Sequence, residues 1–252
     1  MQIQPTAAQL KLLEPLISRP RLAPYLAVTA SPQAAMELYL WNVRVSAAFA
    51  EVIALTEIIL RNAMAEQLAG AYGHAWYAQA ELFDDRTISG FRGTWRNINM
   101  PTDPRTGKPE AKTLRTVPAG KLVAESTFGC WVNLLDKGGT RGDGPYRQNV
   151  DYDSTLWRKA LHKAFPNSGG KRTTVFTTAS HVRSLRNRAA HHEPLISGVP
   201  LPGQTDRRGH GRRLTLPAAH AEVLRLVEYI DKDVAAWLGQ NSRVPQLLST
   251  RP

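Results

Sequence analysis

Residues 31–70 read SPQAAMELYLWNVRVSAAFAEVIALTEIILRNAMAEQLAG, and this stretch decides the fold class. Ser31 followed by Pro32 is a helix start: a serine hydroxyl accepts from an orphaned amide, and proline at the first helical position has no amide to orphan. No further glycine or proline follows until Gly70, which with Gly73 marks the end. Tyr39, Val43, Ala47, Ala50 and Ala54 fall on one face, while Val45, Phe49, Val52, Ile53, Ile59 and Leu60 fall on others. A helix that is apolar nearly all round belongs at the centre of a bundle. The run is long enough for one helix or for two with a break.

Outward from this helix, residues 5–18 also carry a helical pattern. Residues 74–97 hold Trp76, Tyr77, Phe83, Phe91 and Trp95 and suggest one or two shorter helices. Prolines 101, 104, 109 and 118 make 98–119 a loop. Apolar packing resumes over 120–136, followed by a glycine-rich loop over 137–150. Helices are expected at 154–164, at 171–193 with Pro194 closing the second, and at 217–239. Between the last two, 197–216 reads as a basic loop. No alternating strand pattern is visible, so the expectation is an all-α bundle of about six or seven helices with long basic loops. Residues 1–30 read as an N-terminal helical extension, 31–240 as the main domain and 241–252 as a tail.

Composition limits the function classes. Lysine and arginine number 32 against 21 aspartates and glutamates, a net charge of +11. Such a balance favours an anionic partner: nucleic acid first, then an acidic protein or a membrane surface. The single cysteine, Cys130, excludes an internal disulfide framework and a cysteine-rich zinc site, and suits a reducing cytoplasm. No segment reads as a signal peptide, and none reaches the roughly 18 uncharged apolar residues of a membrane span.

The chemistry concentrates in Arg183-Ser184-Leu185-Arg186-Asn187-Arg188-Ala189-Ala190-His191-His192-Glu193. On a helix, Arg183, Asn187 and His191 share one stripe at i, i+4 and i+8. Arg186 starts roughly 140° around from His191, within reach for a long side chain. Arg188 and His192 form a second i, i+4 pair. Both histidines are expected in the last turn, where the helix dipole favours an imidazolium. Histidine accepts and donates protons near neutrality, and arginine stabilises a pentavalent phosphorane. RNA cleavage by attack of the ribose 2′-hydroxyl needs a base, a cation and an acid, and no metal. A second copy of the chain could supply what one copy lacks. On spacing alone, the favoured reading is a solvated helix end whose arginines pair with Glu193 or the C-terminal carbonyls.

The run Arg186-Asn187-Arg188-Ala189-Ala190-His191-His192 resembles the Arg-Asn-x-x-x-His signature of HEPN domains, and with Glu193-Pro194-Leu195 it is similar to the bacterial abortive-infection, or Abi-like, family. Tyr39-Leu40-Trp41-Asn42 through Glu57-Ile58-Ile59-Leu60-Arg61-Asn62-Ala63 resembles that family's long helix with its Glu-x-x-x-Arg-Asn core. Thr127-Phe128-Gly129-Cys130-Trp131 resembles its Phe-Gly-x-Trp box. The resemblance covers residues 25 to 240 and implies a HEPN-type helical bundle, often a homodimer with a composite cleft. It further implies RNA cleavage by Arg186 and His191 to 5′-hydroxyl and 2′,3′-cyclic phosphate ends, with Asn187 orienting the histidine or a phosphate and no cofactor. His192 fits the spacing as well as His191. A role in phage defence or as a toxin follows by analogy, with an antitoxin or regulatory partner. A non-catalytic RNA-binding module, or a dimerisation domain for an acidic protein, remains the alternative.

Other residues carry weaker expectations. Arg183, Arg188, Arg207, Arg208, Arg212 and Arg213 are candidate phosphate contacts, or a solvated basic surface. Glu57 and Arg61 form an i, i+4 pair, read either as a structural bridge or, with Asn62, as support positioning His191. The tryptophans, Trp237 among them, are expected mostly in the core, and Cys130 is expected buried and inert.

Overall fold

The structure, a computed structural model, describes residues 6–13, 15–98, 105 and 119–252. It is mostly helical. Helices α1 (Ala7–Leu13), α2 (Arg19–Leu26) and α3 (Pro32–Tyr72) are followed by two 3₁₀ turns and α4 (Asp85–Ile98). Then come α5 (Ala119–Glu125), α6 (Phe128–Asn133), a hairpin of β1 (Thr140–Arg141) and β2 (Gln148–Asn149), and α7 (Arg172–Ala190). A second hairpin, β3 (Val199–Thr205) and β4 (Gly211–Leu214), precedes α8 (Leu216–Glu228), α9 (Lys232–Asn241) and α10 (Val244–Ser249).

Helix α3 runs unbroken for 41 residues. The Ser31 hydroxyl accepts from the Ala34 amide at 3.1 Å, as the start signal required. At the other end Gly73 takes φ +81° and its amide returns to the Ala69 carbonyl at 2.8 Å, a left-handed C-terminal cap.

The chain forms two compact units. The first gathers Met1–Ala54, Ser184–Val223 and Trp237–Pro252. Its core holds Trp41, Val45, Phe49, Leu185, Val199, Val223 and Val244, and Leu10 and Leu22 pack against Met36. The Trp41 indole donates to the Leu247 carbonyl at 2.8 Å. Residues 241–252 are therefore not a tail, because α10 packs and Val244 is fully buried. Trp237, by contrast, is 53% exposed and outside the core.

The second unit comprises Leu55–Arg183 and Leu224–Ala236. Its core is aromatic: the Trp76 ring lies 6.1, 5.6 and 6.0 Å from those of Phe83, Phe91 and Trp131. Beside them, the buried Asp84 carboxylate caps α4 by accepting from the Thr87 amide at 2.9 Å and from the Tyr152 hydroxyl at 2.8 Å. Arg86 pairs with Asp84 at 2.9 Å and with Asp136 at 2.7 Å. Burial alone would push the Asp84 carboxyl up. The Thr87 and Tyr152 hydrogen bonds and the Arg86 charge outweigh it and hold the group below its usual range. A depressed carboxyl stabilises the fold above its unfolded pKa near 3.9, and that contribution fades as pH falls through the lower folded value. Asp84→Asn is thus expected to cost about 2 kcal/mol at pH 7. In urea unfolding, the gap between variant and wild type should shrink as pH drops below about 4. A gap that stays constant down to pH 3 would remove the carboxylate's charge from the account.

Several local expectations need correction. Of the expected 98–119 loop, residues 99–104 and 106–118 lie outside the described residues, while Ile98 ends α4, Arg105 sits in an exposed turn and Ala119 starts α5. Both 137–150 and 197–216 contain hairpins, so the fold is not purely helical. The 154–164 helix is a π turn and a 3₁₀ turn, separated where Ala160 leaves helical geometry (φ −135°, ψ −64°). The 217–239 helix is two, because Asp231 caps a new start by accepting from the Asp233 and Val234 amides at 2.9 Å. The described residues hold ten α-helices, most of them shorter than expected.

Candidate functional site

The motif occupies the end of α7, in the first unit. Leu185 and Ala189 point into the core, which leaves Asn187 and Ala190 on the exposed side. The helix stops at Ala190, earlier than expected. The His191 amide still reaches the Asn187 carbonyl at 3.0 Å, but His192 turns left-handed at φ +54°. Its amide bonds to the Ala189 carbonyl at 3.2 Å, and the Glu193 amide bonds to the Arg188 carbonyl at 2.9 Å. These two bonds are a Schellman closure, and His192 fills the position that glycine usually takes. The two histidines therefore differ: His191 caps the helix, and His192 belongs to the turn.

Two contacts fix this end. Arg21 of α2 donates to the His192 carbonyl at 2.7 Å. The buried Asn42 side chain of α3 accepts from the Leu195 amide at 2.7 Å. A left-handed residue other than glycine costs roughly 1–2 kcal/mol. His192→Gly is therefore expected to stabilise the protein by about 1 kcal/mol, read as a higher urea midpoint at unchanged slope. A lower midpoint would show that the His192 ring makes contacts worth more than the strain.

Arg188 is tied down. It pairs with Glu193 at 2.8 Å and donates to the Pro194 carbonyl at 3.0 Å, so it braces the turn. Arg183 belongs to the second unit, where it donates to the Asn133 side chain at 3.1 Å. Its aliphatic stem lies beside Gly129 of the Phe-Gly-x-Trp segment. Arg186 is half-buried, whereas Asn187 and His191 are exposed. The side chains of Asn187 and His191 make no hydrogen bond among the described residues.

The β3–β4 hairpin divides its arginines. Asp206 organises the turn by accepting from the Arg208 and His210 amides at 2.8 and 2.9 Å, which leaves Arg207, Arg208 and Arg212 exposed. Arg213 folds back and donates to the Ser197 and Gly198 carbonyls at 2.7 and 2.9 Å. Burial, with the neighbouring Arg188 charge, lowers its pKa.

The supporting trio lies in the second unit. Arg61 donates to the Ala124 carbonyl of α5 at 2.7 Å, Glu57 is half-buried and Asn62 is exposed. Cys130 is buried, which pushes its thiol up to about 12. Among the described residues no three His, Cys, Asp or Glu side chains cluster as a metal site would need, and no helix is long and apolar enough to cross a membrane.

Arg21 and Tyr25 were not anticipated. Tyr25 is fully buried, and its hydroxyl has no hydrogen-bond partner among the described residues. Burial and Tyr39 raise its pKa to about 12, against the lowering influence of Arg21 and Arg188. No sequence signal ties α2 to a motif 171 residues away. Comparison of the chain with protein-family profiles, curated proteins and solved structures finds no match.

Proposed function

We propose that the protein is a metal-independent endoribonuclease of the Abi-like HEPN type, acting in phage defence or as a toxin. One observation carries the reading: Asn187 and His191 share a stripe at the end of α7, exposed and without a side-chain hydrogen bond among the described residues. A surface imidazole with no structural task, next to Arg186 and on a protein of net charge +11, suits proton transfer on an anionic polymer. In the proposed reaction His191 takes the proton of a ribose 2′-hydroxyl. The oxygen attacks the adjacent phosphorus, and the bond to the 5′ oxygen breaks as that oxygen gains a proton. Arg186 stabilises the charge on the phosphorane. A homodimer would bring a second His191 to donate the leaving-group proton.

His191 is preferred over His192 as the proton carrier. The His192 backbone is held in a turn, and Arg21 pins its carbonyl. The second reading, an RNA-binding module without catalysis, draws on the exposed Arg207, Arg208 and Arg212.

The test is incubation of purified protein with RNA in EDTA, followed by analysis of the product ends. Cleavage leaving 5′-hydroxyl and 2′,3′-cyclic phosphate ends is the expected result. Salt-sensitive RNA binding with no cleavage would favour the second reading, and absence of both would defeat the two together.

A further inference from the structure

Away from the motif, the first unit holds a cavity of about 300 Å³ between Trp41, the start of α8 and the C-terminal residues. One wall is apolar, built from Leu216 and Pro217 of α8 and Leu248 of α10. Arg213 and Arg251 also line it, and among the described residues no acidic one does.

Both guanidiniums are held by neutral groups. Arg213 donates to the Ser197 and Gly198 carbonyls at 2.7 and 2.9 Å. Arg251 donates to the Ile196 carbonyl at 3.2 Å and stands 5.5 Å over the Trp41 ring. Neither forms an ion pair with a carboxylate among the described residues. A guanidinium has five N–H donors, so each keeps donors in hand after these bonds. Arg188, whose charge acts on Arg213, is paired with Glu193, so that carboxylate is already engaged. Two cations fixed by carbonyls, beside an apolar wall and uncompensated by acid, form a preorganised anion site. The 13-residue α8 opens onto the same space and adds the positive end of its dipole.

We propose that this cavity binds an organic phosphate of mononucleotide size, with the phosphate between Arg213 and Arg251 and the flat base on the Leu216–Leu248 wall. Arginine forks match phosphate oxygens two at a time, which favours a phosphate over a single carboxylate. The volume lies at the small end of the range for ligand sites, which suits a mononucleotide. The phosphate has two possible sources, a free mononucleotide or the 5′-terminal nucleotide of an RNA. The proposal is independent of RNA cleavage and of His191.

Calorimetric titration of the full chain tests it, using adenosine 5′-monophosphate, adenosine, inorganic phosphate, and a short RNA with and without a 5′-phosphate. The mononucleotide should bind at least about tenfold more tightly than adenosine, the scale of a hydrogen bond to a charged group. Inorganic phosphate should bind more weakly than the mononucleotide, because it leaves the apolar wall uncovered. Arg251→Gln should weaken binding by about tenfold. Leu248→Trp, which fills the cavity, should abolish it while the protein still unfolds cooperatively. Binding of the 5′-phosphorylated RNA but not its 5′-hydroxyl form would identify the RNA end as the source, and binding of the free nucleotide alone would identify the metabolite. Equal affinity for adenosine and its monophosphate, no binding of any phosphate, or unchanged binding by Leu248→Trp would overturn the proposal.

Discussion

Replacing His191 with alanine is expected to slow RNA cleavage by about 10²–10⁴-fold, the range for loss of a general acid–base group. The protein should stay folded. The His191 ring is exposed and makes no hydrogen bond among the described residues, so stability should change by less than about 0.5 kcal/mol. This pairing of a large rate loss with an intact fold is what separates a catalytic role from a structural one. His192→Gly is the control, because it removes the rival imidazole and relieves the turn. It should leave the rate within about threefold of wild type, a change worth less than about 1 kcal/mol. Arg186→Lys keeps the charge but loses the planar fork, and should fall between wild type and His191→Ala. If His192→Gly, and not His191→Ala, abolishes cleavage, the assignment of the proton carrier reverses. If neither variant affects the rate, the cleaving groups lie elsewhere.

Gly198→Ala is expected to cost about 3 kcal/mol or more, which would lower the melting temperature by about 6–12 °C. Gly198 sits at φ +78°, a conformation that L residues rarely adopt. A Cβ there would lie 2.2 Å from the Leu214 carbonyl oxygen and 3.1 Å from its carbon. Both atoms are backbone, and Leu214 is paired with Val199 across the hairpin, so neither side can yield cheaply. The Gly198 carbonyl also holds Arg213, so the variant should weaken phosphate binding as well as stability. A melting temperature within about 2 °C of wild type would mean that the hairpin relaxes far more easily than two paired strands should.

Helix α3 was legible because all its information is local: a Ser-Pro start, a glycine stop and no breaker between. The β3–β4 hairpin was not, for a physical reason. Pro200 and Pro202 argue against a strand, yet a two-stranded ribbon has free edges where proline leaves no ladder bond unmade. The alternating buried pair Val199 and Leu201, with the Asp206-Arg207-Arg208-Gly209 turn, was the signal available. The break between α8 and α9 was hidden because Ile230 and Val234 continue the apolar period through the Asp231 cap. At the candidate site, the Asn187–His191 stripe could be read from spacing. The engagement of Arg188 and Arg213 could not, since a count of charges does not say which of them already have partners. Arg21 and Tyr25 reach the motif only through tertiary docking, which no local pattern encodes.

The first unit draws on three stretches separated in sequence, and the carbonyl that receives the Trp41 indole belongs to Leu247. On the ribosome, α2 and the first half of α3 emerge long before the residues that complete their core. Chains grow at about 5–20 residues per second, so these segments wait on the order of ten seconds or more for their partners. The Arg213–Arg251 cavity can mature only after translation has passed α10, because Leu248 and Arg251 line it. A chain stopped before Leu248 therefore lacks one face of the cavity altogether.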